Sequence, residues 1–187
     1  CNLSVISCTS FFPAKPLGCY GDGGAIFTNN QDLYERLFSI RVHGKGKNKY
    51  DNVNIGINGR LDTIQAAILI EKLKIFSSEI VLRQKVANRY RELLQDHFIL
   101  QHIPDHYMST WAQFSILADD GNSRDIFIKQ LKDNNIPSAI YYPKPLHLQP
   151  AFKNLNLKYS TLLHISEDIS GRIFSIPMHP YLSNIDI

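Results

Sequence analysis

The sequence predicts an α/β chain that ends in a smaller α+β domain. Short apolar runs at Leu3–Cys8 and Ala25–Thr28 read as strands on either side of a glycine cluster. Apolar residues then recur at helical spacing through Leu33–Ile40 and Leu61–Phe76. A strand–helix–strand pattern follows between Trp111 and Pro143. The expected division is 1–76 for the first domain, 77–103 for a linking helix and loop, and 104–187 for the small domain.

Taken in order, residues 3 to 9 and 24 to 28 are expected as buried strands of a mostly parallel sheet. Asn29–Asp32 is a turn that can cap a helix running to about Val42. The stretch from His43 to Asn58 is polar, glycine-rich and without periodicity, which predicts a mobile loop. A helix follows from Leu61 to Phe76, with Asp62 in its first turn, where a negative charge is favourable. Ser77-Ser78-Glu79 is expected to interrupt it, and a second helix, with Val86, Ala87, Tyr90 and Leu94 on its apolar side, runs to about His97. His102–Asp105 reads as a boundary loop and Trp111–Leu117 as a half-buried strand. Ser123 is expected to cap a helix over Arg124–Asn134. Ile136–Pro143 then returns as a strand, short helices and loops follow from Lys144, and Ile173–Ile176 is a last strand closed by Pro177. No internal repeat or low-complexity tract is present.

The bulk numbers exclude several classes of function. A net charge of +3 over 187 residues is too small to imply nucleic acid, and the basic cluster Lys45–Lys49 is interleaved with Gly46 and Asn48 as in a solvated loop. Three cysteines at irregular spacing make neither a disulfide framework nor a zinc site. Cys8 and Cys19 read as small buried hydrophobes in a reducing compartment. No apolar run is long enough to span a bilayer, no cluster has metal-ligand spacing, and no serine–histidine–aspartate set can be read from sequence distance.

What remains is the stretch from Ser10 to Gly24, in which one lysine, Lys15, stands before Gly18, Gly21, Gly23 and Gly24. Backbone can approach a ligand where no Cβ intervenes. A lysine beside such a loop can be partly desolvated, and a lysine amine condenses with carbonyls. By itself this pattern does not separate a reactive lysine from an ordinary solvated one.

Larger motifs separate them. Ser10-Phe-Phe-x-x-Lys15-x-x-Gly18-x-x-Gly21-Asp22-Gly23-Gly24 resembles the pyridoxal-phosphate lysine segment of the DegT-type nucleotide-sugar aminotransferases. Gly56-Ile-Asn58-Gly-Arg60-Leu61-Asp62-Thr-Ile-Gln65-Ala66-Ala67 is similar to that family's second signature. Arg41-Val-His43-Gly44 and Tyr142-Pro143-x-Pro145-Leu146-His147 fit the same pattern in the same order, and the stretch from His179 to Ser183 extends it. Within the family the combination is most similar to enzymes that aminate a UDP-linked 2-acetamido-3-oxo-glucuronate.

The resemblance implies the C-terminal half of a fold-type-I enzyme dependent on pyridoxal 5'-phosphate: the end of a large cofactor-binding domain followed by a small α+β domain. The missing half would stack on the pyridine ring and face its nitrogen with a carboxylate, so these residues alone are expected to be inactive. Lys15 would bind the cofactor covalently and then serve as general acid/base. Ser10 would donate to the cofactor phosphate, unless it is only a strand-end turn residue. Asn58 would reach the phosphate of a second protomer, making a homodimer with shared sites. Arg60 would contact carboxylate or phosphate, or else pair with Asp62 or another acid. Tyr142 and His147 would face the UDP-sugar, and for His147 a satisfied polar turn residue is an equal alternative. Many relatives have His where this chain has Tyr141, so no role is carried over to Tyr141. His43 reads as loop structure, and Gln65 with the alanines beside it as helix packing. The implied reaction moves the amine of L-glutamate to the ketone of the sugar nucleotide, in the cytoplasm, for surface polysaccharide or lipopolysaccharide assembly. The competing expectations are a truncated, non-catalytic chain that keeps the dimer-forming elements, and a regulatory member of the same fold. Against the latter stand Lys15 and the Asn58 motif.

Overall fold

A computed structural model describes residues 4–48, 50–152 and 163–187. Leu3 of the first expected strand, Lys49 of the basic cluster and part of the stretch after Lys144 lie outside the described residues. The chain divides into two compact units, Cys1–Ser77 and Ser78–Ile187.

In the first unit, strands β1 (Ser7–Ser10) and β2 (Gly24–Phe27) pair antiparallel, with Ser7 opposite Phe27 and Ser10 opposite Gly24. The expected parallel arrangement does not occur between them. Parallel neighbours need a long crossover, normally helical, and here the connection is a loop tied across its base by Phe11 N–H donating to Gly23 O at 2.8 Å. Nor are these strands buried: Cys8 of β1 and Ile26 and Phe27 of β2 are exposed, as are Val5 and Ile6 just before β1, whereas Cys19 is fully buried, as expected. These two strands are the whole sheet among the described residues of this unit, so neither face of it is covered as a central strand's would be.

Helix α1 (Gln31–Arg41) starts where an asparagine can cap it, and Asn30 Oδ1 accepts from Leu33 N–H at 3.0 Å. Leu33, Leu37 and Ile40 turn inward while Phe38 stays exposed under the Arg41 guanidinium, 5.0 Å from its ring centroid. The following loop is better held than its composition predicts. His43 N–H donates to Ile57 O, Ile57 N–H to Ile40 O and Gly59 N–H to Arg41 O, all within 2.8–2.9 Å, and Val42 and Asn58 form a bridge. Gly44 takes φ of 73° against the Asn54 carbonyl, where a Cβ would overlap it, and Asn54 Nδ2 donates to Ser39 Oγ at 3.0 Å.

Helix α2 runs unbroken over 32 residues, Thr63–Leu94. The expected interruption at Ser77-Ser78-Glu79 is absent. Serine costs only tenths of a kcal/mol in a helix interior, and no proline or glycine enforces a break. Asp62 precedes the helix and its carbonyl accepts from Ala66 N–H at 2.9 Å.

In the second unit, the C-terminal half of α2 packs through Val86, Ala87 and Tyr90 into a core with Trp111, Phe114, Ile116, Ala118 and Phe174. It is thus part of the unit's core, where a linking helix was expected. Three antiparallel strands, β3 (Ile99–Leu100), β4 (Phe114–Leu117) and β5 (Ile173–Ile176), lie in that order. Along β4, Phe114 and Ile116 point into the core and Ser115 and Leu117 away from full burial, the alternation expected of a strand with one packed face. Trp111 is outside β4, at φ of 47°, and is held instead by its side chain: Nε1 donates to Gln84 Oε1 at 3.0 Å. Arg83 Nη1 donates to the Trp111 carbonyl at 2.9 Å and Tyr90 Oη to the Pro177 carbonyl at 2.9 Å. Burial lowers the Arg83 pKa against the opposing charge of Glu79, and burial raises that of Tyr90, with Asp186 adding to it.

Helix α3 (Gly121–Asp133) is capped by Asp120, not by Ser123: Ser123 N–H donates to Asp120 Oδ1 at 2.8 Å. An aspartate three residues upstream offers the acceptor, while Ser123 lies inside the first turn and supplies the donor. Ile136–Pro143 does not form the expected strand. It touches the sheet at one bridge, Ala139 to Ser175, because Pro137 has no N–H to continue a ladder. Short 3₁₀ turns at Leu146–Leu148 and Pro150–Phe152 and helix α4 (His164–Arg172) lead into β5.

Candidate active site

Lys15 sits on the loop between β1 and β2. A turn places it, with Lys15 N–H donating to Phe12 O at 2.9 Å, after Ser10 Oγ has accepted from Phe12 N–H at 3.2 Å. The descending limb of the loop folds back on the ascending one: Cys19 N–H donates to Phe11 O at 2.8 Å and Cys19 Sγ bonds the same carbonyl at 3.1 Å. A Cβ at Gly18 would lie 2.7 Å from the Phe12 and Pro13 carbonyl oxygens. The cluster's glycines therefore let the loop close on itself, rather than leaving backbone bare for a ligand. Lys15 is left exposed on this frame, and no hydrogen bond or ion pair takes up its ammonium among the described residues.

Two side chains of α2 fix the same limb. Gln65 Oε1 accepts from Tyr20 N–H at 2.7 Å, and Gln65 Nε2 donates to Tyr20 O. Lys72 Nζ donates to Gly18 O at 2.6 Å and lies 5.8 Å from the Tyr20 ring centroid. Neither contact follows from sequence reading, which assigns Gln65 to helix packing. The only trace in the sequence is their spacing of seven, which places both on one face of a helix, around buried Leu69.

Asn58 and Arg60 are exposed, and they bond each other: Arg60 Nε and Nη2 donate to Asn58 Oδ1 at 3.3 and 3.1 Å. The alternative pairing of Arg60 with Asp62 does not form among the described residues. With Oδ1 occupied, what the pair offers outward is hydrogen-bond donors, Asn58 Nδ2 and the rest of the guanidinium, which suits an anion. Large apolar side chains surround them on the chain, Ile55 at 99 %, Ile57 at 63 % and Ile64 at 75 % exposure.

Tyr142 and His147 belong to the second unit. Tyr142 is exposed with its ring edge-on to Tyr141, 5.7 Å between centroids. His147 is mostly covered, and its Nε2 lies 2.8 Å from Glu167 Oε1 of α4. The satisfied-turn-residue alternative thus has a definite partner. A cleft of about 890 Å³ runs between β1, β2 and α1, lined by Phe11, Ile26, Tyr34 and Phe38 among others, and Lys15 does not line it. No group of histidine, cysteine, aspartate or glutamate suited to a metal ion occurs among the described residues, and no helix there is long and apolar enough to cross a membrane.

A lysine presented on a pinned loop, followed by an asparagine–arginine donor pair ahead of a long helix, on an α/β frame with an α+β unit after it, defines a class rather than a single reaction. Residues 1–187 match the DegT/DnrJ/EryC1/StrS aminotransferase family throughout, and the chain belongs to that family. It is 44% identical over 188 residues to the UDP-2-acetamido-2-deoxy-3-oxo-D-glucuronate aminotransferase of Pseudomonas aeruginosa, covering 100% of this chain and 50% of that one. Its fold is similar to the crystal structure of a DegT DnrJ EryC1 StrS aminotransferase from Brucella abortus, at TM-score 0.89 and 50% identity over 97% of this chain and 48% of the other. It is likewise similar to S. venezuelae DesV in complex with a ketimine intermediate, at TM-score 0.87 and 32% identity over 97% and 48% of the two chains. The chain spans about half the length of the curated relatives it matches. These likenesses bear out the fold-type-I α/β expectation and the family resemblance.

Proposed function

We propose that the whole protein to which these residues belong is a pyridoxal 5'-phosphate-dependent aminotransferase that moves the amine of L-glutamate to the ketone of a UDP-linked sugar of the 3-oxo-glucuronate type. The observation that carries it is Lys15: an exposed amine with no partner among the described residues, held on a closed loop in a chain of an aminotransferase family. The residues present fit the cofactor. An amine without a competing partner can bond its aldehyde, Ser10 keeps its hydroxyl proton available, and Asn58 and Arg60 present donors fit for a phosphate. When bound, pyridoxal phosphate supplies the electron sink that stabilises negative charge at the donor's α-carbon.

The chain's own part is binding and proton movement. Lys15 Nζ would be the attachment point for the cofactor, and its free amine would carry the proton at the reacting carbon. Asn58 and Arg60 serve the site of a second protomer, and the exposed isoleucines at 55, 57 and 64 fit a homodimer contact around them. Tyr142 faces the sugar nucleotide, as does any surface of His147 that Glu167 leaves open. The proposed setting is the cytoplasmic assembly of surface polysaccharide.

The test is covalent. The whole protein is mixed with pyridoxal phosphate, reduced with borohydride and mapped by peptide mass. The modified residue is expected to be Lys15, and Lys15→Ala should abolish amination of a UDP-3-ketosugar. An adduct on another lysine, with Lys15→Ala still active, would refute the reading.

A further inference from the structure

We propose that Gln65 is a positioning residue for Lys15, holding the lysine loop on helix α2 through both backbone polar groups of Tyr20. The proposal rests on the reading of Lys15 as the cofactor lysine.

A primary amide is the one neutral side chain that can donate and accept side by side in a plane. Gln65 uses this fully, accepting from Tyr20 N–H at 2.7 Å and donating to Tyr20 O. The arrangement repeats the two-bond exchange between paired strand residues, but with one partner on a helix. It is reached across 45 residues of sequence, so it is tertiary and not a local cap. Gly21 makes room for it: at φ of 142°, a Cβ there would sit 2.8 Å from Gln65 Nε2. Two turns further along α2, Lys72 Nζ takes the Gly18 carbonyl at 2.6 Å. The limb from Gly18 to Tyr20 is thus tied to the helix at both ends, and Phe11 ties the same limb to the other side of the loop through Cys19. Lys15 lies on the span from Phe11 to Gly18, whose two ends are held in this way. Reaction of an amine with a bound aldehyde requires its position to be held closely, and small misplacements are costly in rate. Gln65 makes no described contact with Lys15, so its effect is exerted through the backbone it holds.

Gln65→Leu removes both hydrogen bonds at similar length, and Gln65→Glu keeps the acceptor while losing the donor at neutral pH. In the 187-residue chain, exchange of the Tyr20 amide is expected to speed about two- to tenfold in Gln65→Leu, the loss of a hydrogen bond of ordinary strength, with β4 and β5 amides unchanged. In the whole protein, labelling with limiting pyridoxal phosphate and cyanoborohydride reads the share of adduct on Lys15 against all other lysines. In that reaction Lys15 Nζ bonds the aldehyde carbon, water leaves, and hydride from cyanoborohydride, which survives mild acid, reduces the C=N bond. The Lys15 share is expected to fall severalfold in Gln65→Leu, less in Gln65→Glu, and to recover in Gln65→Glu at acid pH, where the carboxyl regains a donor. A purely structural role would lower the melting temperature and leave the share and its pH dependence unmoved. An unchanged share with a faster Tyr20 amide overturns the positioning role. Should Gln65→Leu fail to fold, the pH profile of Gln65→Glu decides between the same two roles. A wild type that labels Lys15 no more than other lysines refutes the parent reading and this proposal with it, whereas a wild-type preference that survives both variants refutes this proposal alone.

Discussion

Arg60 closes on Asn58 with two nitrogens of its guanidinium, at 3.3 and 3.1 Å from the amide oxygen. This orients the Asn58 amide with its NH₂ outward, because an arginine donor can satisfy only the oxygen end. On the proposed reading, Arg60 would thereby act through the orientation of Asn58 without touching a ligand.

Asn58→Ala should weaken pyridoxal-phosphate binding by roughly 1.5–3 kcal/mol, the worth of a hydrogen bond to a charged group. If Asn58 serves a second protomer, mixing Asn58→Ala chains with Lys15→Ala chains gives heterodimers with one intact and one doubly damaged site. At a cofactor concentration too low to load the Asn58→Ala homodimer, activity absent from each parent should then return on mixing. Verified heterodimers that stay inactive would show that Asn58 works within its own chain. Arg60→Leu should weaken binding in the same direction by releasing the amide.

His147 offers a stability measurement that separates its two readings. Its side chain is 9% exposed and pairs with a Glu167 side chain that is 45% exposed. Half-solvated pairing of this kind contributes little, about 1 kcal/mol or less. His147→Ala should lower the melting temperature by a few degrees, and Glu167→Gln, which keeps an acceptor, by less. A melting temperature unmoved by His147→Ala, with weakened nucleotide-sugar binding, would assign His147 to the ligand alone.

The cap of α3 predicts a pH dependence. Hydrogen bonds from Ser123, first its backbone N–H, hold the Asp120 carboxyl below its ordinary value of 3.8. A folded-state pKa below the unfolded one means the unfolded chain binds the proton more readily. The stabilisation is present above 3.8 and is lost as pH falls through the lower folded value. The difference in stability between wild type and Asp120→Ala should therefore be constant near neutrality and shrink below about pH 4. A difference that grows on acidification would contradict the capping role.

Amide exchange on the chain should be uneven. β4 and β5 lie on a core containing Phe114, Ile116 and Phe174, each at most 2% exposed, while β1 and β2 carry exposed Cys8, Ile26 and Phe27. Local opening is easiest where few apolar contacts must be broken. Phe114–Leu117 should exchange far more slowly than Ser7–Ser10, and equal protection of the two would show that the β1–β2 pair is stabilised by something other than its own burial.

Part of the fold around the candidate site could be read from the chain alone because its signals are local. A lysine among glycines, an asparagine before a helix, a proline after a strand each act over a few residues, and Asn30, Lys15 and the strand Ile173–Ile176 lie where those signals put them. Only the tertiary structure decided the rest. Whether Cys8 is buried depends on what covers β1, and whether Ser77 breaks a helix depends on the core that Val86 and Tyr90 enter beyond it. The partners of Gln65, Arg83 and Tyr90 lie 45, 28 and 87 residues away along the chain. Residue type records that a glutamine can hold two backbone groups, but which two is settled only when folding brings Tyr20 against helix α2.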